Sequence, residues 1–189
     1  MILMDDIIRE GHPTLNKKAV DVVMPLSIND KKLLKEMLEF VKNSQDEELA
    51  KKYDLRPAVG IAAPQLNISK RMFVVYFQSF DNNLYEYLLI NPSINVLEDS
   101  EIYLPGGEGC LSVDRETNGL TPRHKRILIE GLRYDPYADI VVPIELELSG
   151  YEAIVFQHEY DHIEGILFTE KLYPELPDAK PAFELPITD

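Results

Sequence analysis

Between positions 158 and 162 the chain reads His-Glu-Tyr-Asp-His, and this stretch constrains the rest more than any other. On a helix, His158 and His162 lie one turn apart on the same face, where both imidazoles can reach one divalent cation. Glu159 then stands beside the open coordination position, where a water would sit. The flanking residues favour that helix. Ser149 followed by Glu152 reads as a capping box, Tyr151 to Ile163 carries neither Pro nor Gly, and Gly165 is placed to end the helix in a left-handed conformation. The apolar run Ala153, Ile154, Val155, Phe156 predicts burial. Two histidines and a glutamate in a buried helix need compensation, which a metal supplies.

The third ligand separates families that share the motif. A metzincin places a third histidine three residues after the motif's glycine; Gly165 is present, but that position is Phe168. The best remaining candidate is the sole cysteine, Cys110, in Gly106-Gly107-Glu108-Gly109-Cys110-Leu111-Ser112, where three glycines let backbone and thiolate approach a metal. A lone cysteine is by default a small buried hydrophobe. Beside a two-histidine site that lacks a ligand, the metal reading is the stronger one.

With 189 residues, 45% of them apolar and 28% charged, the chain is expected to form one domain, 1–189. A formal net charge of -14 argues against a broad electrostatic grip on nucleic acid or anionic membrane. One cysteine excludes an internal disulfide and suits a reducing compartment. The start Met1 to Asp6 has no cationic segment leading into a long apolar one, so a cytoplasmic protein is expected.

Along the chain, Ile7 to Pro13 is a short apolar piece closed by turn residues, with His12 in a loop, and Leu15 to Val23 is irregular. Asn29 or Asp30 is expected to cap a first helix, whose Leu33, Leu34, Met37, Leu38 and Val41 form a core-facing stripe. Asn43 to Arg56 is highly charged and extends that helix or forms a second, surface-exposed turn. Pro57 to Gln65 reads as a buried extended loop. Gln65 is its one side chain able to donate a hydrogen bond, either to backbone groups or as an oxyanion stabiliser near a metal. Met72 to Phe77 pairs with Tyr85 to Ile90, Ile94 to Leu97 is a further strand, and Arg126 to Tyr134 pairs with Ile140 to Leu148. The expected fold is α+β, with mainly antiparallel sheets packed around a central helix carrying the H-E-x-x-H motif. The proline-rich tail, Tyr173 to Asp189, is expected to run extended over the surface.

Gly60-Ile61-Ala62-Ala63-Pro64-Gln65, then Glu108-Gly109-Cys110-Leu111-Ser112, then Gln157-His158-Glu159-Tyr160-Asp161-His162 resemble the three ordered motifs of the peptide deformylases. Gly11-His12-Pro13 with Leu15 resembles that family's N-terminal segment, so the likeness covers most of the chain. Ala58 stands where many members have glycine. The insertion Asn43 to Arg56 and the proline-rich tail resemble the Gram-positive, type 2 branch.

The resemblance implies a metal-dependent hydrolase that removes the N-terminal formyl group from formyl-methionyl nascent polypeptides and releases formate. Cys110, His158 and His162 would hold one divalent metal, Fe2+ in the cell, with Zn2+, Ni2+ or Co2+ in preparations. Gln65 and the backbone N–H of Leu111 would stabilise the oxyanion, and Glu159 would carry the proton from water to the leaving amine. Val59, Gly60, Ile61, Gly109, Ile154 and Val155 would line the substrate cleft. Arg123 reads equally as a group that orients the ligands and as a surface arginine. The expected partners are nascent formyl-peptides and, transiently, the ribosome, with no membrane, no specific nucleic-acid site and a monomeric enzyme.

Two other readings stand beside this one. A gluzincin peptidase takes a glutamate about twenty residues past the motif, and Glu184 has that spacing, although it sits in the tail. A closed structural metal site or a non-catalytic formyl-peptide-binding module has no use for a base, and Glu159 is present.

Overall fold

The computed structural model describes residues 1–184; the end of the tail, Pro186 included, lies outside the described residues. Six strands form one sheet: β1 (Gly60–Ala62), β2 (Met72–Gln78), β3 (Leu84–Tyr103), β4 (Arg123–Asp135), β5 (Ile140–Ser149) and β6 (Lys180–Pro181). The order is β1-β2-β3-β4-β5, all antiparallel, and β6 pairs parallel with the end of β3. Three helices accompany it: α1 (Ile28–Gln45), α2 (Glu47–Tyr53) and α3 (Gly150–Glu164).

Strand β2 explains the layering. Its run Met72-Phe73-Val74-Val75 is fully buried, as expected of a strand covered on both faces. Side chains alternate across a strand. Met72 and Val74 therefore join Leu34, Met37, Leu38 and Val41 of α1 in one cluster. Phe73, Val75 and Phe77 join Ala153, Val155, Phe156 and Ile163 of α3 in another. The motif helix thus lies against one face of the sheet and α1 against the other. Phe156 sits edge-on to Phe73, Phe77, Tyr85 and Tyr87, which fixes α3 on the sheet.

Several expectations need correction. The cap of α1 is Ser27, whose Oγ accepts from the Asp30 N–H at 3.1 Å; the Asp30 carboxylate instead takes the Ser27 hydroxyl and the Lys70 ammonium. Ser149 precedes α3 but makes no side-chain cap, because it is still the last residue of β5, paired with Arg126. Pro57 to Gln65 is not loop throughout: Gly60–Ala62 forms the short edge strand β1, and Ala63–Leu66 a 3-10 turn. The segments at Tyr85 and Ile94 are one long strand, β3, with a register shift between Ile90 and Ser93 next to the left-handed Asn91. The charged insertion, expected to extend the first helix or form an exposed turn, completes α1 to Gln45 and then makes a separate helix, α2, which the Asp46 side chain caps by accepting from the Leu49 N–H. The tail keeps to the surface as expected, and its exposed, extended Lys180–Pro181 pairs as β6 with Ile102 and Tyr103.

Candidate active site

Helix α3 holds His158 and His162 one turn apart, with ring centroids 5.1 Å from each other. The loop between β3 and β4 brings Cys110 to them from the other side. Its Sγ lies 3.3 Å from His162 Nε2, and the ligand atoms of Cys110, His158 and His162 all fall within 4.8 Å of one another. Donors bound tetrahedrally to one ion with Zn–S of ≈ 2.3 Å and Zn–N of ≈ 2.1 Å stand roughly 3.5 Å apart, so the group fits a small divalent cation. Phe168, where a metzincin has its ligand, is buried and lies against the His158 ring. Glu184 is exposed and takes no part.

Electrostatics prepare these residues for a cation. Burial pushes the Cys110 thiol up, but His162 and His158 more than offset it, so the thiol lies well below its ordinary range. His158 Nδ1 faces Glu108 Oε2 at 2.7 Å, which leaves Nε2 for a metal. Glu108 is gripped by Arg123 at 2.8 and 2.9 Å, and Arg123 reaches Asp161 of α3 at 2.5 Å. Despite burial, Arg123 and His158 hold the Glu108 carboxyl down to about 2. Arg123, which sequence left ambiguous, is 3% exposed and therefore belongs to the support of His158. The sequence signal that could have decided it was Asp161, a carboxylate within a helix whose apolar run predicts burial and which therefore needs a cationic partner.

Glu159 is the group with the least compensation. It is 4% exposed and its Oε2 meets no partner among the described residues. Burial pushes its carboxyl up to about 7, against the pull of His158 and His162. A cation bound beside it would act in the lowering direction.

Gln65, buried in the 3-10 turn after β1, satisfies backbone and faces the site at once. Its Oε1 accepts from the Ala62 N–H at 2.9 Å, which orients the amide so that Nε2 lies 3.5 Å from Cys110 Sγ and 3.2 Å from Ser112 Oγ. A cavity of about 330 Å³ opens beside these groups, lined by Val59, Gly60, Gln65, Glu108, Gly109, Cys110, Leu111, Ile154, Val155, His158 and Glu159, with Arg56, Leu104 and Tyr151 at other points of its wall. Ile61 is not in that lining. Between Gly60 and Ala62 on a strand it must face the opposite side of the sheet, and it packs in the α1 cluster. Arg56, Leu104 and Tyr151 were not expected there; nothing periodic in their sequence marks them.

Fold and site together define the class, a sheet-and-helix protein whose cleft ends on a group able to hold one divalent metal. A family model described as Polypeptide deformylase matches residues 4–177. The chain is 50% identical over 187 residues to a peptide deformylase of Oceanobacillus iheyensis, covering 99% of this chain and 100% of the other. To a peptide deformylase 2 of Geobacillus stearothermophilus it is 48% identical, with 99% of each chain covered. The fold is similar to a Met-Ala-Ser-bound crystal structure of a class I type b peptide deformylase from Acinetobacter baumannii, with a TM-score of 0.63, 28% identity, and 88% of this chain and 96% of that one covered. The chain belongs to the polypeptide deformylase family. It is a hydrolase that removes the N-terminal formyl group from nascent polypeptides, and it depends on a divalent metal.

Proposed function

We propose that Cys110, His158 and His162 hold the metal and that Glu159, Gln65 and the Leu111 N–H carry out the proton transfer and charge stabilisation of formyl-amide hydrolysis. The observation that supports this most is the buried, unpartnered carboxylate of Glu159 beside the three converging donors. When bound, the metal supplies Lewis acidity, which polarises the formyl oxygen and lowers the pKa of water. Glu159 takes the proton of the attacking water and returns it to the leaving amine. Gln65, with its amide oriented by Ala62, and the Leu111 N–H donate to the formyl oxygen as negative charge develops there.

Substrate binding follows from the lining. Val59, Gly60, Gly109, Ile154 and Val155 offer an apolar slot for the methionine side chain, in keeping with the Met-Ala-Ser found in the Acinetobacter baumannii structure. A thiolate with two imidazoles suits both ferrous iron and zinc; we infer ferrous iron in the cell. The enzyme works on formyl-methionyl chains in the cytoplasm as they leave the ribosome, as one catalytic domain over 1–189. Among the described residues no helix is long and apolar enough to cross a membrane.

The test is to incubate the metal-loaded protein with formyl-Met-Ala-Ser and, separately, with an N-terminally blocked internal peptide, and to measure formate and new amines. Formate from the first substrate alone is expected. Cleavage of the blocked peptide would make the chain a peptidase.

A further inference from the structure

Arg56 closes the charged insertion and reaches across the cleft wall to the Cys110 loop. Its Nη2 donates to Cys110 O at 2.9 Å and to Val113 O at 3.2 Å, and its Nη1 to Leu111 O at 3.4 Å and to Asp114 Oδ1 at 2.8 Å. Three of these four acceptors are backbone carbonyls of the loop that carries Cys110. Asp114 is held a second time, by Arg9 Nε at 2.9 Å. An arginine so engaged has little freedom, although its side chain is 43% exposed.

The carbonyl of Cys110 and the N–H of Leu111 belong to one peptide unit. Such a unit is planar and trans, so C=O and N–H point in opposite directions, and gripping the oxygen from one side decides where the N–H faces on the other. Cys110 O also accepts from the Val113 N–H at 3.1 Å. A cation on a carbonyl oxygen draws charge through the amide and makes its N–H a better donor, by the cooperativity that strengthens linked hydrogen bonds. The Leu111 N–H meets no backbone or side-chain acceptor among the described residues, and Leu111 lines the cleft.

We propose that Arg56 is a positioning residue for the reaction: it fixes and polarises the Cys110–Leu111 peptide so that the Leu111 N–H is aimed at the developing oxyanion. The proposal rests on the reading of Leu111 as an oxyanion donor. It gives the insertion's last residue a part in the chemistry without contact with the reacting atoms. A lysine could grip one carbonyl but not span all four acceptors, because an ammonium is a point charge and not a planar fork.

Arg56→Met and Arg56→Lys test it, with the zinc-loaded holoprotein used throughout and equal metal content verified first. Removing an oxyanion donor outright costs about 10²–10³ in kcat; misaiming one donor should cost less, roughly tenfold for Arg56→Met, with KM for formyl-Met-Ala-Ser unchanged and Arg56→Lys in between. The independent readout is the amide proton of Leu111 in a ¹⁵N–¹H spectrum without substrate, which should move upfield in Arg56→Met. An unmoved Leu111 amide overturns the proposal and leaves the oxyanion reading intact. A moved amide with unchanged kcat overturns it too, and then the oxyanion reading is what has failed. A rise in KM alone would show that Arg56 holds the peptide substrate, and the proposal would be wrong.

Discussion

A Cβ placed on Gly60 would stand 2.6 Å from Glu159 Oε1 and 2.7 Å from its Cδ, closer than real side chains approach. The edge strand β1 and the helix α3 therefore meet at a point where only glycine fits against the buried carboxylate. Gly60 is not needed for a left-handed turn; it is needed for this contact.

Gly60→Ala should accordingly displace Glu159 while leaving the fold in place. Overpacking typically costs about 1–3 kcal/mol of stability, while loss of a positioned acid–base group costs ~10²–10⁴ in rate. Urea unfolding and formate release on the same preparation check both. A fully active alanine variant would mean the carboxylate can move without consequence.

Glu108 offers a second test, since it links His158 to the buried Arg123. Glu108→Gln removes one of the two carboxylates opposite Arg123; since Asp161 still faces the guanidinium, the cost should fall below the about 3–5 kcal/mol of a fully broken buried pair. It also loosens His158, and the loss of a group that orients a ligand weakens metal binding about 10–100-fold. Competition with a chelator measures the affinity. Unchanged affinity would reduce Glu108 to a partner of Arg123 alone.

The motif helix, its end at Gly165, the α1 stripe and both large hairpins were legible because each follows a strong periodic or capping rule. Failures fall where tertiary context overrides local preference. Gly60-Ile61-Ala62 has no strand signal of its own and is extended because β2 offers a free edge. That short strand then turns Ile61 away from the cleft, which a loop reading could not foresee. The Cys110 loop is visible as three glycines around a cysteine, but its anchors are not: Arg56 lies 54 residues away in sequence, at the end of a charged stretch that reads as solvated surface.

The tail is more than a surface cover. Phe183 lies 6.2 Å from Tyr151 and 4.8 Å from Phe80 between ring centroids, and Tyr151 lines the cleft. Deleting the residues after Pro181 should cost about 0.5–1.5 kcal/mol, the worth of such aromatic contacts, with metal content unchanged. Metal analysis and thermal unfolding of the truncated protein decide it. Loss of the metal would bring Glu184 back as a ligand.

The account stands most directly on Glu159, whose change to glutamine keeps the shape of the side chain and removes the base. The measurement is metal stoichiometry together with the rate of formate release from formyl-Met-Ala-Ser, for wild type and Glu159→Gln loaded with the same metal without oxygen. One metal per chain in both proteins, with the rate in the variant lower by at least ~10²–10⁴, is the predicted result. Near-normal turnover at full metal occupancy would contradict the role assigned to Glu159 and with it the proposed chemistry of the site.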